Sequence, residues 1–110
     1  MNVAKLELSK ELYELSGWYD TTYSHTDKGA VKLQDGVCAD AEICPAYDTD
    51  YLLKALPDRT KWLRYNEDNE LWYVAIKIRP DEISAPTLED AMCKLAIELF
   101  KQGVLNKENI

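Results

Sequence analysis

One stretch constrains this chain more than any other. Leu88, Met92, Leu95, Ala96 and Leu99 recur at intervals of three and four, and Cys93, Ile97 and Phe100 widen the apolar stripe. Asp90, Lys94, Glu98 and Lys101 fill the opposite side. This is the 3.6-residue period of an amphipathic helix. Thr87 can cap its start, Asp90 stands three residues on, and Gly103 ends it. An apolar arc this wide cannot lie on a surface with one edge wet. It requires a helix cradled by other elements, lying across a sheet.

The sheet signal lies just upstream. Lys61 to Tyr65 and Leu71 to Arg79 flank the polar run Asn66-Glu67-Asp68-Asn69-Glu70, which reads as a hairpin. Alternation puts Trp72, Val74, Ile76 and Ile78 on one face, expected to be buried. Leu71, Tyr73, Ala75 and Lys77 fall on the other.

The first half repeats the scheme with weaker signals. Ser9 can cap a helix over Lys10 to Ser16, with Leu8 and Tyr13 at staple spacing, Leu12 and Leu15 buried, and Gly17 past the end. Residues 18–38 read as a hairpin: Trp18 to Ser24 is aromatic and β-branched, Asp27-Lys28-Gly29 is a turn, and Ala30 to Leu33 alternates. Pro45 forbids a helix through that point. Asp48 caps a second short helix with Leu52, Leu53 and Leu56 inward, and Pro57 stops it. The expected fold is α+β: a single small domain over residues 1–110, in the order α-β-β-α-β-β-α. An antiparallel sheet packs against the long C-terminal helix.

Composition narrows the function. The net charge of −7 disfavours binding to a phosphate backbone, making nucleic acid an unfavoured partner. No run approaches the length of a membrane span, and the first residues lack a signal-peptide core. Three cysteines, Cys38, Cys44 and Cys93, read as reduced thiols in a cytosolic setting.

Catalytic and metal-binding patterns do not emerge. The sole histidine, His25, falls in an expected turn, where a solvated ring is the ordinary outcome. Cys44 has no histidine near it in sequence, and Cys93 lies on the apolar side of its helix. Cys38 and Cys44 are too far apart for a zinc knuckle, and Glu67 to Glu70 lacks the ligand spacing and glycine of a calcium loop. Glycine-rich phosphate loops do not occur. The expectation is a protein that is not an enzyme and carries no cofactor or metal.

What folding leaves unexplained is the second hairpin. Trp62, Arg64, Tyr65, Tyr73 and Lys77 concentrate aromatic and basic side chains in an acidic protein. Whichever face of Trp62 to Tyr65 points outward, an aromatic residue goes with it. Tyr, Trp and Arg on an exposed sheet face are the residues of a protein-binding hot spot. They also suit a base-stacking platform. Two other readings stand beside protein binding. One is an acidic nucleic-acid mimic built from Asp20, Asp35, Asp40, Glu42, Asp48 and Asp50. The other is a structural homo-oligomer.

Three segments resemble a group of small, uncharacterised proteins carried by bacteriophages and integrated elements. They are Ser9 to Trp18 (SKELYELSGW), Cys44 to Pro57 (CPAYDTDYLLKALP) and Thr87 to Leu99 (TLEDAMCKLAIEL). The resemblance implies an accessory gene in a bacterial cell. By analogy with small phage proteins, it implies a modulator or inhibitor that binds a host or phage protein.

Overall fold

A computed structural model describes residues 2–33, 42–56, 62–76, 79–103 and 105 of the chain, without the side chains of 79–81. Among the described residues, three helices and two three-stranded antiparallel sheets form the α+β fold. They are α1 (Leu6–Ser16), β1 (Tyr23–Thr26), β2 (Gly29–Lys32), β3 (Glu42–Ala46), α2 (Thr49–Ala55), β4 (Trp62–Asn66), β5 (Leu71–Ile76), β6 (Arg79–Ala85) and α3 (Leu88–Lys101). The strand orders are β2-β1-β3 and β4-β5-β6. Each expected hairpin has therefore gained a third strand.

Both added strands carry proline, which reads as a strand breaker. At a sheet edge a proline with no N–H forfeits nothing, provided that side faces away from the ladder. Pro45 of β3 sits opposite Ser24 of the central strand β1. Pro80 lies in β6, whose pairing with β5 shifts register between Val74 and Ile76.

Helix α3 organises the core. It packs against α1, α2, β5 and β6. Ala91, Met92, Cys93, Leu95, Ala96, Ile97 and Leu99 are all buried, as the wide arc requires. Thr87 Oγ1 accepts from the Asp90 amide at 3.2 Å, completing the expected cap. One cluster joins these residues to Leu12 of α1, Leu52 of α2, and Val74 and Ile76 of β5. No helix among the described residues is long and apolar enough to cross a membrane.

Helix α1 starts earlier than expected. It begins at Leu6, and Lys5 occupies the cap position without a side-chain bond. Ser9 is inside the helix and fully buried, its hydroxyl donating to the Ala4 carbonyl at 3.1 Å. A serine can replace a cap by bonding back along the helix, which its sequence position does not distinguish. The far end is as expected: Gly17 takes φ 71, and its amide bonds the Tyr13 carbonyl at 2.8 Å. Tyr13 itself is exposed rather than stapled.

The first hairpin is shorter than expected. Trp18 to Thr22 are not in a strand, and β1 starts at Tyr23. Trp18 turns inward, its ring edge-on to Phe100 at 5.2 Å. Thr26 pairs with Gly29, leaving Asp27 and Lys28 as the turn. Both keep negative φ, and Gly29 absorbs the positive one at φ 106. Helix α2 agrees with expectation: Asp48 Oδ1 accepts from the Tyr51 amide at 2.8 Å, and Leu52 and Leu56 are buried. Pro57, Cys38 and residues 34–41 lie outside the described residues.

Candidate functional site

The second sheet has two faces, assigned by its register. Leu63 pairs with Val74 and Tyr65 with Trp72, while Trp62 pairs with Ala75 and Arg64 with Tyr73. Directly opposite residues share a face. Val74 and Ile76 belong to the core around α3. Leu63 and Tyr65 thus project on the helix side, and Trp62, Arg64 and Tyr73 on the outer side.

The five candidate residues do not form one surface. Trp62, Arg64 and Tyr73 share the outer face. Tyr65 stands on the other, its ring centroid 5.1 Å from that of Trp72. Lys77 lies outside the described residues, as do Ile78, Arg59 and Lys61. The alternative posed by the sequence, Trp62 with Arg64 outward or Leu63 with Tyr65 outward, has the answer that both pairs are exposed. β4 is an edge strand, and its relative exposures are 40% at Trp62, 40% at Leu63 and 44% at Tyr65. Alternation also lapses at Ala75, which is buried beside the register shift.

The outer face is built as a fixed constellation. The Arg64 guanidinium lies 4.2 Å from the Tyr73 ring centroid. Beyond the ring it meets Glu82 of β6, with Nε and Nη2 each donating to one carboxylate oxygen at 3.2 Å. This is the bidentate fork that suits guanidinium to carboxylate. Asn69 Nδ2 donates to the Tyr73 hydroxyl at 2.7 Å and holds the ring from its far end. Asn69 Oδ1 also accepts from the Leu71 amide at 3.2 Å, and Asn66 Oδ1 from the Asp68 amide at 2.9 Å, so the hairpin tip closes on its own side chains. Glu82 is hidden in the sequence, because the charges and proline around it mask β6. Asn69 is legible there only as loop polarity.

The first sheet overturns the reading of His25. The ring is buried on the central strand β1, not solvated in a turn. Its Nε2 lies 2.8 Å from the Ala4 carbonyl and 3.3 Å from Ser9 Oγ. The neighbour directly across the strand pair is Cys44, nineteen positions away and invisible as a neighbour in sequence. That thiol is not activated: burial pushes it up to about 11, with Glu42 adding to the rise and Lys10 opposing it. At neutral pH it is a protonated, weak nucleophile. Burial likewise pushes the Cys93 thiol up, with Asp90 and Glu11 contributing. Its Sγ–H points to the Leu8 carbonyl at 3.5 Å.

The acidic residues weighed as a mimic are partly committed to folding. Asp48 caps α2, and Asp20 accepts from the Tyr51 hydroxyl at 2.6 Å. Asp35 and Asp40 lie outside the described residues. Among the described residues no group of three or more His, Cys, Asp or Glu side chains could hold a metal ion. A groove of about 390 Å³ runs between α1, α3 and β6, floored by Leu8, Ile83 and Ile97. Its rim pairs Lys101 with Glu11 at 2.9 Å.

Comparison with protein families, with curated proteins and with solved structures finds no match.

Proposed function

We propose that this is a non-enzymatic binding protein that engages another protein through the outer face of β4 and β5. The observation that carries the reading is Arg64 laid over Tyr73 and held there by Glu82, with half-exposed Trp62 beside it. Arginine and aromatic side chains that are already ordered lose little entropy on binding, so their contact area is converted to affinity efficiently. An ion pair on an open surface contributes little to stability. Its effect here is to position the guanidinium rather than to hold the fold. The resemblance of three segments to phage-borne proteins supports a host protein as partner and an accessory, modulating role in the bacterial cytoplasm.

Affinity capture from bacterial lysate tests this, with wild type compared against Trp62→Ala and Tyr73→Ala. A partner retained by wild type and lost by both variants is the expected result. Identical partner sets for all three, or none, would remove the outer face from consideration. A folded-state check by circular dichroism accompanies each variant.

A further inference from the structure

We infer that β4 pairs with β4 of a second copy of this chain, antiparallel, about a two-fold axis at Leu63. The argument begins with the sheet edges. An edge strand offers unpaired N–H and C=O groups, and proteins blunt such edges with proline, lysine, irregular register or short length. β3 carries Pro45. β6 carries Pro80 and a register shift. β2 has four residues and ends in Lys32. β4 has no proline, lysine or register break, and its one charge, Arg64, is turned back onto Tyr73 and Glu82 of its own sheet. It runs Trp62-Leu63-Arg64-Tyr65-Asn66 in unbroken register with β5, and no described strand pairs with its other edge.

The side chains make the same point independently. Leu63 and Tyr65 are exposed on the helix side, and Trp62 on the outer side. A partner laid on the outer face leaves Leu63 and Tyr65 in water. A strand added at the edge covers both faces together.

The occupant follows from what β4 sets against itself. A two-fold axis perpendicular to the sheet keeps each face on its own side and pairs residues of the same parity. Centred on Leu63, it sets Leu63 against Leu63 of the second copy. It also sets each Trp62 against an Arg64, which is a favourable aromatic–cation pair made twice. Centred on Arg64, it would oppose two guanidinium groups. The Leu63 register therefore buries the apolar residue and opposes no like charges. The product is a six-stranded sheet whose two outer faces are continuous, doubling the constellation of Arg64, Tyr73 and Glu82. This inference concerns the edge of β4, although its Trp62–Arg64 pairs draw on two residues of the outer face.

The experiment measures mass by sedimentation and light scattering over rising concentration of the full chain. The Leu63 register sets three residues of each β4, Trp62 to Arg64, against one another, a small interface, so the dimer is expected to be weak. Each copy carries −7, so added salt is expected to strengthen it by screening repulsion. Leu63→Lys, at an exposed position that leaves the fold intact, is expected to weaken association by about tenfold or more. Leu63→Cys, with Cys38→Ser in the background, is expected to crosslink to itself under oxidation faster than Arg64→Cys or Glu67→Cys in the same background. A monomeric mass at every concentration and salt overturns the inference. So does crosslinking of Leu63→Cys no faster than the two controls. Neither result bears on partner capture by the outer face, so the two proposals fail separately.

Discussion

The backbone amide of Lys5 donates to the carboxylate of Asp90 at 2.8 Å, joining the start of α1 to the first turn of α3 across 85 positions. In a capping box the carboxylate would reach back to its own helix start. Here the Asp90 amide bonds Thr87 Oγ1, while its side chain serves the neighbouring helix. Since α1 has no side-chain cap of its own, Asp90 contributes to two helix starts at once.

Asp90→Ala is accordingly expected to lower stability by about 1 kcal/mol, the usual magnitude for a lost cap interaction. Urea denaturation reads this directly. Loss of the Lys5 amide's protection from hydrogen exchange should accompany it, and unchanged protection would mean the bond contributes nothing.

The Ala4 carbonyl can only accept, and it already receives the Ser9 hydroxyl. His25 Nε2, 2.8 Å away, must therefore carry a proton. Nitrogen NMR of the folded protein should show Nε2 protonated, and a ring protonated at Nδ1 alone would contradict the geometry. His25→Ala should cost about 2–4 kcal/mol, combining a buried void with the loss of one of the two hydrogen bonds that the Ala4 carbonyl accepts.

Alkaline pH should destabilise the fold. Cys44 rises from 9.0 in the unfolded chain to about 11 through burial. Burial also raises Tyr47 and Tyr51 above 10.0, Tyr51 further by its bond to Asp20. Each group folds in its protonated form, so its contribution is complete below the unfolded value and is lost as pH rises through the folded one. Melting temperature should hold steady up to pH 9 and decline beyond it, most steeply above pH 10. A flat profile to pH 11 would rule this out. Cys44 and Cys93 should resist thiol reagents at pH 8 until the protein is unfolded.

Coupling on the outer face should be small. Arg64 and Glu82 are both partly exposed, at 48% and 36% of their side-chain surface. A double-mutant cycle with Arg64→Ala and Glu82→Ala should give about 0.5 kcal/mol, diminishing with salt. Loss of partner capture without loss of stability is the pattern that separates positioning from folding.

Glu70 takes φ 56, a left-handed conformation that costs an L-residue about 1–2 kcal/mol. Glu70→Gly relieves that strain but pays in chain entropy, and the net expectation is a gain of up to about 1 kcal/mol. A lower midpoint in denaturant would show that the Glu70 side chain compensates for its backbone.

Much of the fold was legible in the sequence. Regular spacing marked α3, Asp48 marked α2, Gly17 marked the end of α1, and alternation marked the β4–β5 hairpin. Each is a local signal, carried by residues within a few positions of one another. β3 and β6 escaped because their prolines are tolerated only at an edge, and being an edge is a property of the assembled sheet. Ser9 misled because its hydroxyl serves equally as a cap or as a buried donor.

The candidate site divides in the same way. That Trp62, Arg64, Tyr65 and Tyr73 crowd one hairpin is a fact of sequence. That Tyr65 faces away from the other three follows from the register with β5. Glu82 reaches Arg64 over the Tyr73 ring only because β6 lies on the far side of β5. His25 and Cys44 become neighbours by the same kind of strand pairing. Local periodicity and capping fix the α+β class, the capped helices and the apolar arc of α3, since both act over one or two turns of chain. Tertiary structure alone decided which strands are edges and which side chains meet across them. Those outcomes depend on contacts between residues that no local pattern brings together.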